Sequence, residues 1–410
     1  MRFRHMALAA ALGAVFFLIT ATTFASLGVV LPAMIAEFNW SWGTAGLGFT
    51  MLALTTGVFS PIAAASLDRL GPHLHYAVGG VVMCGGYVLL GATTGVSSYL
   101  LATSLLGAGF ASLANVPGTY LVGRAAPIKW RNVAIGAYLA AGGAGGVIGP
   151  LMANALIESG SDWRLYWRAA AVAIGAAALI IVALSDRRLS QGPGVGRGAA
   201  EMNADGNGAG WTARRAMLTP AFAIIALALT VAYFCGVTVS TWAVAHLQKA
   251  GLAPGIAVAM LSLYSGINAA ARAAGGAAAR RIDVRKLLVA ALLANAVGMS
   301  ALAFARSLPT AIVFALFDGF AFGMALFATT ALLIDYFGLK NSPALLGAVN
   351  LAATIAMLGP TLAGQTADRW GSFAPIFLIY AAGALVAAVA VAFMRDPNRA
   401  TQPAAENAAA

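Results

Sequence analysis

The stretch SDRRLSQGPGVGRGAAEMNADGNGAGWTARRAMLT, Ser185 to Thr219, decides the fold. It holds Arg187, Arg188, Arg197, Arg214 and Arg215 among glycine, asparagine, aspartate and proline. Such a composition cannot bury enough apolar surface to pack, so it reads as a flexible hydrophilic linker. Six apolar segments precede it, at about 8–36, 43–66, 75–94, 98–122, 133–157 and 165–185. Six follow, at about 220–246, 255–279, 286–305, 309–335, 344–366 and 373–394. The chain reads as six helices, a linker and six helices.

Composition leaves few other classes. Of the 410 residues 61% are hydrophobic and 9% charged, against roughly 25% charged in a soluble domain. The apolar runs are continuous rather than alternating, which excludes a barrel and predicts an all-α membrane protein. The run after Arg4 continues to about Ile35, too long for the roughly 7–15-residue core of a signal peptide, so it is expected to stay as the first spanning helix. Cys84 and Cys235 both fall inside apolar segments and read as packing residues.

The net charge of +11 follows from topology rather than from nucleic-acid binding. With the N-terminus inside, eighteen of the 24 Lys and Arg residues fall on one side and five (Arg164, Arg168, Lys249, Arg306, Arg369) on the other, leaving Arg272 within the apolar part. This positive-inside asymmetry predicts both termini in the cytoplasm of a bacterial inner membrane. The halves repeat: Gly149-Pro150 recurs as Gly359-Pro360, Asp162-Trp163-Arg164 as Asp368-Arg369-Trp370, and Arg69 as Arg280. Parallel repeats of six helices are a transporter architecture with the substrate site between the halves. The expected units are 1–185, a linker 186–219, 220–395 and a cytoplasmic tail 396–410.

Ser66-Leu67-Asp68-Arg69-Leu70-Gly71-Pro72 resembles the loop motif of the major facilitator superfamily, with Ala64 at the usual first glycine and Pro72-His73 at the trailing basic pair. The run Gly145-Gly146-Val147-Ile148-Gly149-Pro150 resembles that superfamily's fifth-helix motif. The tracts Glu37–Trp42, Arg131–Gly136 and Asp162–Arg164, with an arginine in the eighth helix, are similar to the monocarboxylate transporter branch and its bacterial oxalate/formate exchanger relatives. The resemblance implies twelve transmembrane helices in two pseudo-symmetric six-helix bundles. It also implies that Asp68, Arg69 and Gly71 gate the cytoplasmic face. The fifth-helix glycines, Gly145 and Gly149 among them, are expected to permit close packing across the halves during rocking, and Pro150 beside them belongs to the same gating motif. Asn268 stands where many animal members carry an aspartate, and Ser104 where proton-coupled exporters carry an arginine.

Arg272 is the residue that composition alone does not explain. A guanidinium stays charged at any ordinary pH. Ser265, Asn268, Arg272 and Gly275/Gly276 form one polar and small stripe on the eighth segment, which fits the wall of a cavity better than a face toward lipid. Snorkelling to the interface is the alternative. No acid lies on the same helix, so the substrate itself is expected to supply the carboxylate. Asp318, deep in the tenth segment, reads either as a proton carrier and switchable partner of Arg272 or as a protonated structural acid. His246 reads as a proton ligand or an interface histidine. Asn115, Tyr120, Tyr233, Tyr264 and Tyr380 are candidate hydrogen-bonders to substrate.

The chain carries no phosphate-binding loop and no Cys/His metal spacing, so no enzyme and no cofactor is expected beyond a proton as coupling ion. The expected function is proton-coupled symport of a small organic anion, lactate- or pyruvate-like, by a monomer in a lipid bilayer. An oxalate/formate-like exchanger, a drug or metabolite exporter and a non-transporting sensor remain open alternatives.

Overall fold

A computed structural model describes residues 2–126, 130–160, 162–185, 211–338 and 341–397, without the side chains of 2–5, 115–116, 131–132 and 343. Arg187, Arg188, Arg197, Lys129, Lys340, Arg399 and the tail from 398 lie outside the described residues, as do the side chains of Asn115 and Arg131. The helices are α1 (Arg2–Thr22), α2 (Phe24–Phe38), α3 (Trp42–Gly91), α4 (Val96–Leu113), α5 (Asn115–Ala125), α6 (Arg131–Glu158) and α7 (Trp163–Leu184) in the first half. After a short α8 (Ala213–Met217), the second half has α9 (Pro220–Lys249), α10 (Pro254–Ala278), α11 (Val284–Ala303), α12 (Leu308–Phe337), α13 (Ser342–Ala353), α14 (Gly359–Trp370) and α15 (Ala374–Ala392). Large apolar side chains face outward, among them Val81 (73% exposed), Leu179 (69%) and Val386 (65%). A surface of that kind is tolerated only against lipid.

Among the described residues eleven stretches are long and apolar enough to cross a bilayer, and one of them counts twice. The 50-residue α3 would be about 75 Å long as a straight rod, against a hydrocarbon core of roughly 30 Å. It breaks at Gly71 (φ 74, ψ 167), a backbone region essentially restricted to glycine, and Pro72 follows. The second and third apolar segments are its two limbs, giving twelve crossings. Gly71→Ala is therefore expected to destabilise the detergent-solubilised chain by about 1–3 kcal/mol. Gly57→Ala, at a helical position with nothing within 4 Å of an added Cβ, is expected to be neutral or mildly stabilising; thermal melts of both variants check the contrast.

Three segments that read as single helices are interrupted. The first bends at Thr23, whose hydroxyl and that of Thr22 both meet Tyr87 Oη (2.7 and 2.6 Å). The fourth breaks at an extended Ala114, because Pro117 lacks the N–H that would bond back one turn. The eleventh passes through a 3-10 segment, Thr354–Leu358, before Gly359-Pro360 restarts the helix as α14. The end of the linker is ordered: Thr212 caps α8, and the Trp211 ring meets Phe337 edge-on.

α1 packs on α6 and α7, and α3 on α4 and α7; in the second half α12 packs on α10 and α11, and α15 on α11. The halves meet where α3 touches α14, α6 touches α10 and α2 touches α9. The fifth-helix glycines divide between these two tasks. Gly142, Gly145 and Gly149 press on Phe16, Phe17 and Ala21 of α1, inside their own half. Gly143 and Gly146 face Ala269 and Ser265 of α10, across the halves. Packing between halves thus rests on Gly143 and Gly146, and the expectation for Gly145 and Gly149 is corrected by the helical rotation that turns them toward α1. Pro150 follows Gly149 within α6 and is likewise buried.

Candidate functional site

The site grows from α10. Asn268 and Arg272 are one turn apart and therefore share a face. Arg272 Nε donates to Asn268 Oδ1 at 2.9 Å, which fixes the head of the side chain. Its guanidinium carbon lies 5.6 Å from the Phe322 ring centroid on α12, within cation–π range. Tyr233 of α9 meets Phe322 edge-on at 5.9 Å, and its hydroxyl donates a long 3.4 Å bond to Asn350 Oδ1 of α13. α10 can approach α12 this closely because Gly319 and Gly323 press on the backbones of Tyr264 and Asn268.

Arg272 is densely surrounded by protein and yet keeps an exposed side. Among the described residues it makes no ion pair; the two ion pairs present both belong to Arg164. With Nε committed to Asn268, its two Nη groups are left to bind an anion. Of the expected stripe, Ser265 faces Gly146 of the other half, whereas Gly275 is buried against Phe327 and belongs to the α10–α12 contact.

The second half also holds a buried polar cluster. Asp318 is fully buried; its Oδ1 accepts from Asn295 Nδ2 of α11 at 2.8 Å, while Oδ2 has no partner among the described residues. It is not paired with Arg272 here. Tyr264 is enclosed, its ring stacked on Phe314, its hydroxyl unpartnered, and it lies within electrostatic range of both Asp318 and Arg272. Enclosed in this way, it does not present its hydroxyl on an exposed surface.

The other candidates are dispersed. Tyr120 accepts from Arg124 Nη1 at 3.2 Å on α5. Tyr380 packs over Phe234 and donates a long bond to the Gly359 carbonyl (3.4 Å), bracing the restart of α14. His246 is buried, with Nε2 bonded to the Leu302 carbonyl at 2.8 Å and its ring against Phe373 and Phe377; it packs the end of α9 remote from the linker. Asp68 and Arg69 are exposed on the linker side of α3. Among the described residues no group of three or more His, Cys, Asp or Glu side chains converges as a metal would require.

On the side remote from the linker, the halves are tied together. Asp368 of α14 accepts from Trp42 N and Gly43 N, both at 2.8 Å, through its two carboxylate oxygens. Ser41 Oγ accepts from Thr44 N, so three first-turn donors of α3 are capped, two of them from the opposite half. Thr50 donates to the Met357 carbonyl (2.7 Å), and Lys249 Nζ lies 5.0 Å from the Trp42 ring. Nearby, Glu37 receives Trp163 Nε1 (2.7 Å) and both Arg164 Nη groups (2.6 and 3.0 Å), which joins two of the tracts that carried the branch resemblance. Asp368 is visible in sequence as a repeat landmark, but its partner 326 residues away is not. Phe322 and Asn350 carry no sequence signal, being an aromatic and an amide in apolar helices.

The family description Major Facilitator Superfamily matches this chain over residues 12–283 and 251–410. No curated protein matches it at a meaningful level. Among solved structures it is similar to a bacterial homolog of the human lysosomal transporter Spinster, inward-facing and occupied (TM-score 0.71, 16% identity, 94% of each chain covered). It is also similar to the nucleoside transporter NupG (TM-score 0.75, 12% identity, 94% of this chain and 99% of that one). A third likeness is to a D-xylose-proton symporter (TM-score 0.70, 17% identity, 97% and 99% covered). At these identities the likeness is one of fold.

Proposed function

The chain belongs to the Major Facilitator Superfamily, and from that premise we propose that it is a secondary transporter of a small organic anion, a monocarboxylate moved with a proton by alternating access. The observation that carries this reading is Arg272, a permanent cation exposed on α10, held by Asn268 and without an acid partner among the described residues. A carboxylate matches the free edge of its fork. The proposed setting is the bacterial inner membrane, with the linker side cytoplasmic because eighteen of the basic residues lie there. In that orientation the ties through Asp368 and Thr50 close the periplasmic side.

Asp318 is the proposed proton carrier, because its Oδ2 is buried without a partner among the described residues, while Tyr264 lies within electrostatic range of both it and Arg272. Asp318→Asn is expected to abolish accumulation driven by a pH gradient and to spare downhill exchange. A variant that still concentrates substrate under the gradient returns Asp318 to a structural role.

Exchange is the second reading, favoured by the same unpaired guanidinium. Returning an empty cavity that holds an uncompensated charge is costly in a membrane, so the return step favours a refilled site. Uptake of labelled lactate, pyruvate and oxalate into proteoliposomes separates the two. Acceleration by an inward proton gradient supports symport, a requirement for internal anion supports exchange, and no uptake of any of the three defeats the anion reading.

A further inference from the structure

A second charged site opens on the linker side of the second half, away from Arg272. The loop from α10 to α11, the end of α12 and the chain after α15 enclose a cavity of about 960 Å³. Arg280, Arg281, Arg285 and Arg395 line it, together with Asp283, Asp335 and Asp396. Arg285 Nη1 donates to the Met394 carbonyl at 2.6 Å, and Asp283 Oδ1 caps α11 by accepting from Arg285 N. Among the described residues Arg280, Arg281 and Arg395 make no ion pair.

We propose that this pocket binds the phosphate headgroup of a membrane phospholipid. Guanidinium forks match phosphate oxygens, and a basic pocket at the interfacial end of membrane helices is placed where headgroups lie. Four guanidiniums against three carboxylates leave a formal excess of one, which suits a phosphodiester monoanion better than a free phosphate dianion. The pocket is also amphipathic. Phe393 (82% exposed) and Ile282 (47%) belong to the same lining, so an acyl chain would continue along apolar surface from the point where the phosphate is held. This site stands independently of the proposed anion cavity.

Native mass spectrometry of the delipidated full chain tests it, with dioctanoyl phosphatidylglycerol, dioctanoylglycerol and glycerol 3-phosphate as probes. The phosphatidylglycerol is expected to bind at least about tenfold tighter than dioctanoylglycerol, as charge-assisted hydrogen bonds imply, with glycerol 3-phosphate competing weakly. The double variant Arg281→Ala/Arg395→Ala is expected to lose about tenfold in phosphatidylglycerol affinity, and Arg306→Ala on the opposite side to lose none. Equal binding of phosphatidylglycerol and dioctanoylglycerol overturns phosphate recognition. Glycerol 3-phosphate binding as tightly as the lipid overturns the lipid as occupant, in favour of a soluble phosphate ester. A double variant that folds and retains wild-type affinity moves the lipid to another place; if it does not fold, the three-probe comparison on the wild type decides.

Discussion

Arg272→Lys is expected to lose about tenfold or more of the affinity for the transported anion, and Arg272→Ala to lose all ligand-induced thermal stabilisation. Lysine keeps the charge but not the planar fork. Its three donors diverge from a single nitrogen, so it cannot bond Asn268 and also present a parallel pair to both carboxylate oxygens. Its ammonium would also sit differently over Phe322, 5.6 Å from the present guanidinium carbon. Alanine removes every donor. The apo protein should still fold with nearly the wild-type melting temperature, because no buried carboxylate is left orphaned when the arginine goes. A structural ion pair would behave in the opposite way: the alanine variant would be poorly folded and its ligand response secondary. Thermal stabilisation of wild type and both variants by a panel of mono- and dicarboxylates distinguishes the cases. Wild-type affinity in Arg272→Ala would sink the proposed site, whatever its effect on stability. The same assay on Asn268→Ala is expected to weaken binding less, since that change loosens the arginine without removing it.

Asp368→Asn is the second change expected to have a large effect, on conformation rather than affinity. The carboxylate spans the halves by taking Trp42 N and Gly43 N at 2.8 Å each, at the positive end of α3. Asparagine retains one acceptor and loses both the charge and the second bond. A hydrogen bond to a charged group contributes about 1.5–3 kcal/mol, so the state closed on that side should lose about tenfold or more in population relative to the state open there. The shift cannot exceed the energy by which this contact distinguishes the two states. Spin labels at Thr94→Cys and Arg306→Cys, in a background with Cys84 and Cys235 replaced by alanine, report the separation of the halves. Asp368→Asn should add a longer-distance component and slow turnover. Unchanged distances together with unchanged turnover would reduce Asp368 to an ordinary helix cap.

These two residues play complementary parts in one cycle. Arg272 is proposed to line the substrate cavity, while Asp368 holds the opposite side together. A substrate that neutralised Arg272 would change the relative stability of the two arrangements only through contacts it makes differently in each. The glycine pair Gly143 and Gly146, set against Ala269 and Ser265, lies at the cross-half seam next to Asn268. Bulk added there should act on rocking and substrate access together.

Local chemistry was enough to determine the membrane class and the twelve crossings. Hydropathy and charge asymmetry are properties of short windows, and a bilayer imposes them on every crossing separately. Arg272 stood out for the same reason, since a charge in an apolar window is anomalous wherever the helix packs. Its surroundings were not. Nothing within a turn or two of Arg272 announces Phe322, and Asp318, which read as its possible partner, turns instead to Asn295 on α11. The small stripe on α10 looked like a single cavity face, but Gly275 was claimed by Phe327 and Ser265 by the opposite half. The fifth-helix glycines divided in the same way between α1 and α10. Asp368 and Trp42 lie 326 residues apart, so their bond depends on how α3 and α14 cross. Which polar group meets which is set by the rotation and depth of whole helices, and those are decided by the packing of side chains drawn from the entire chain.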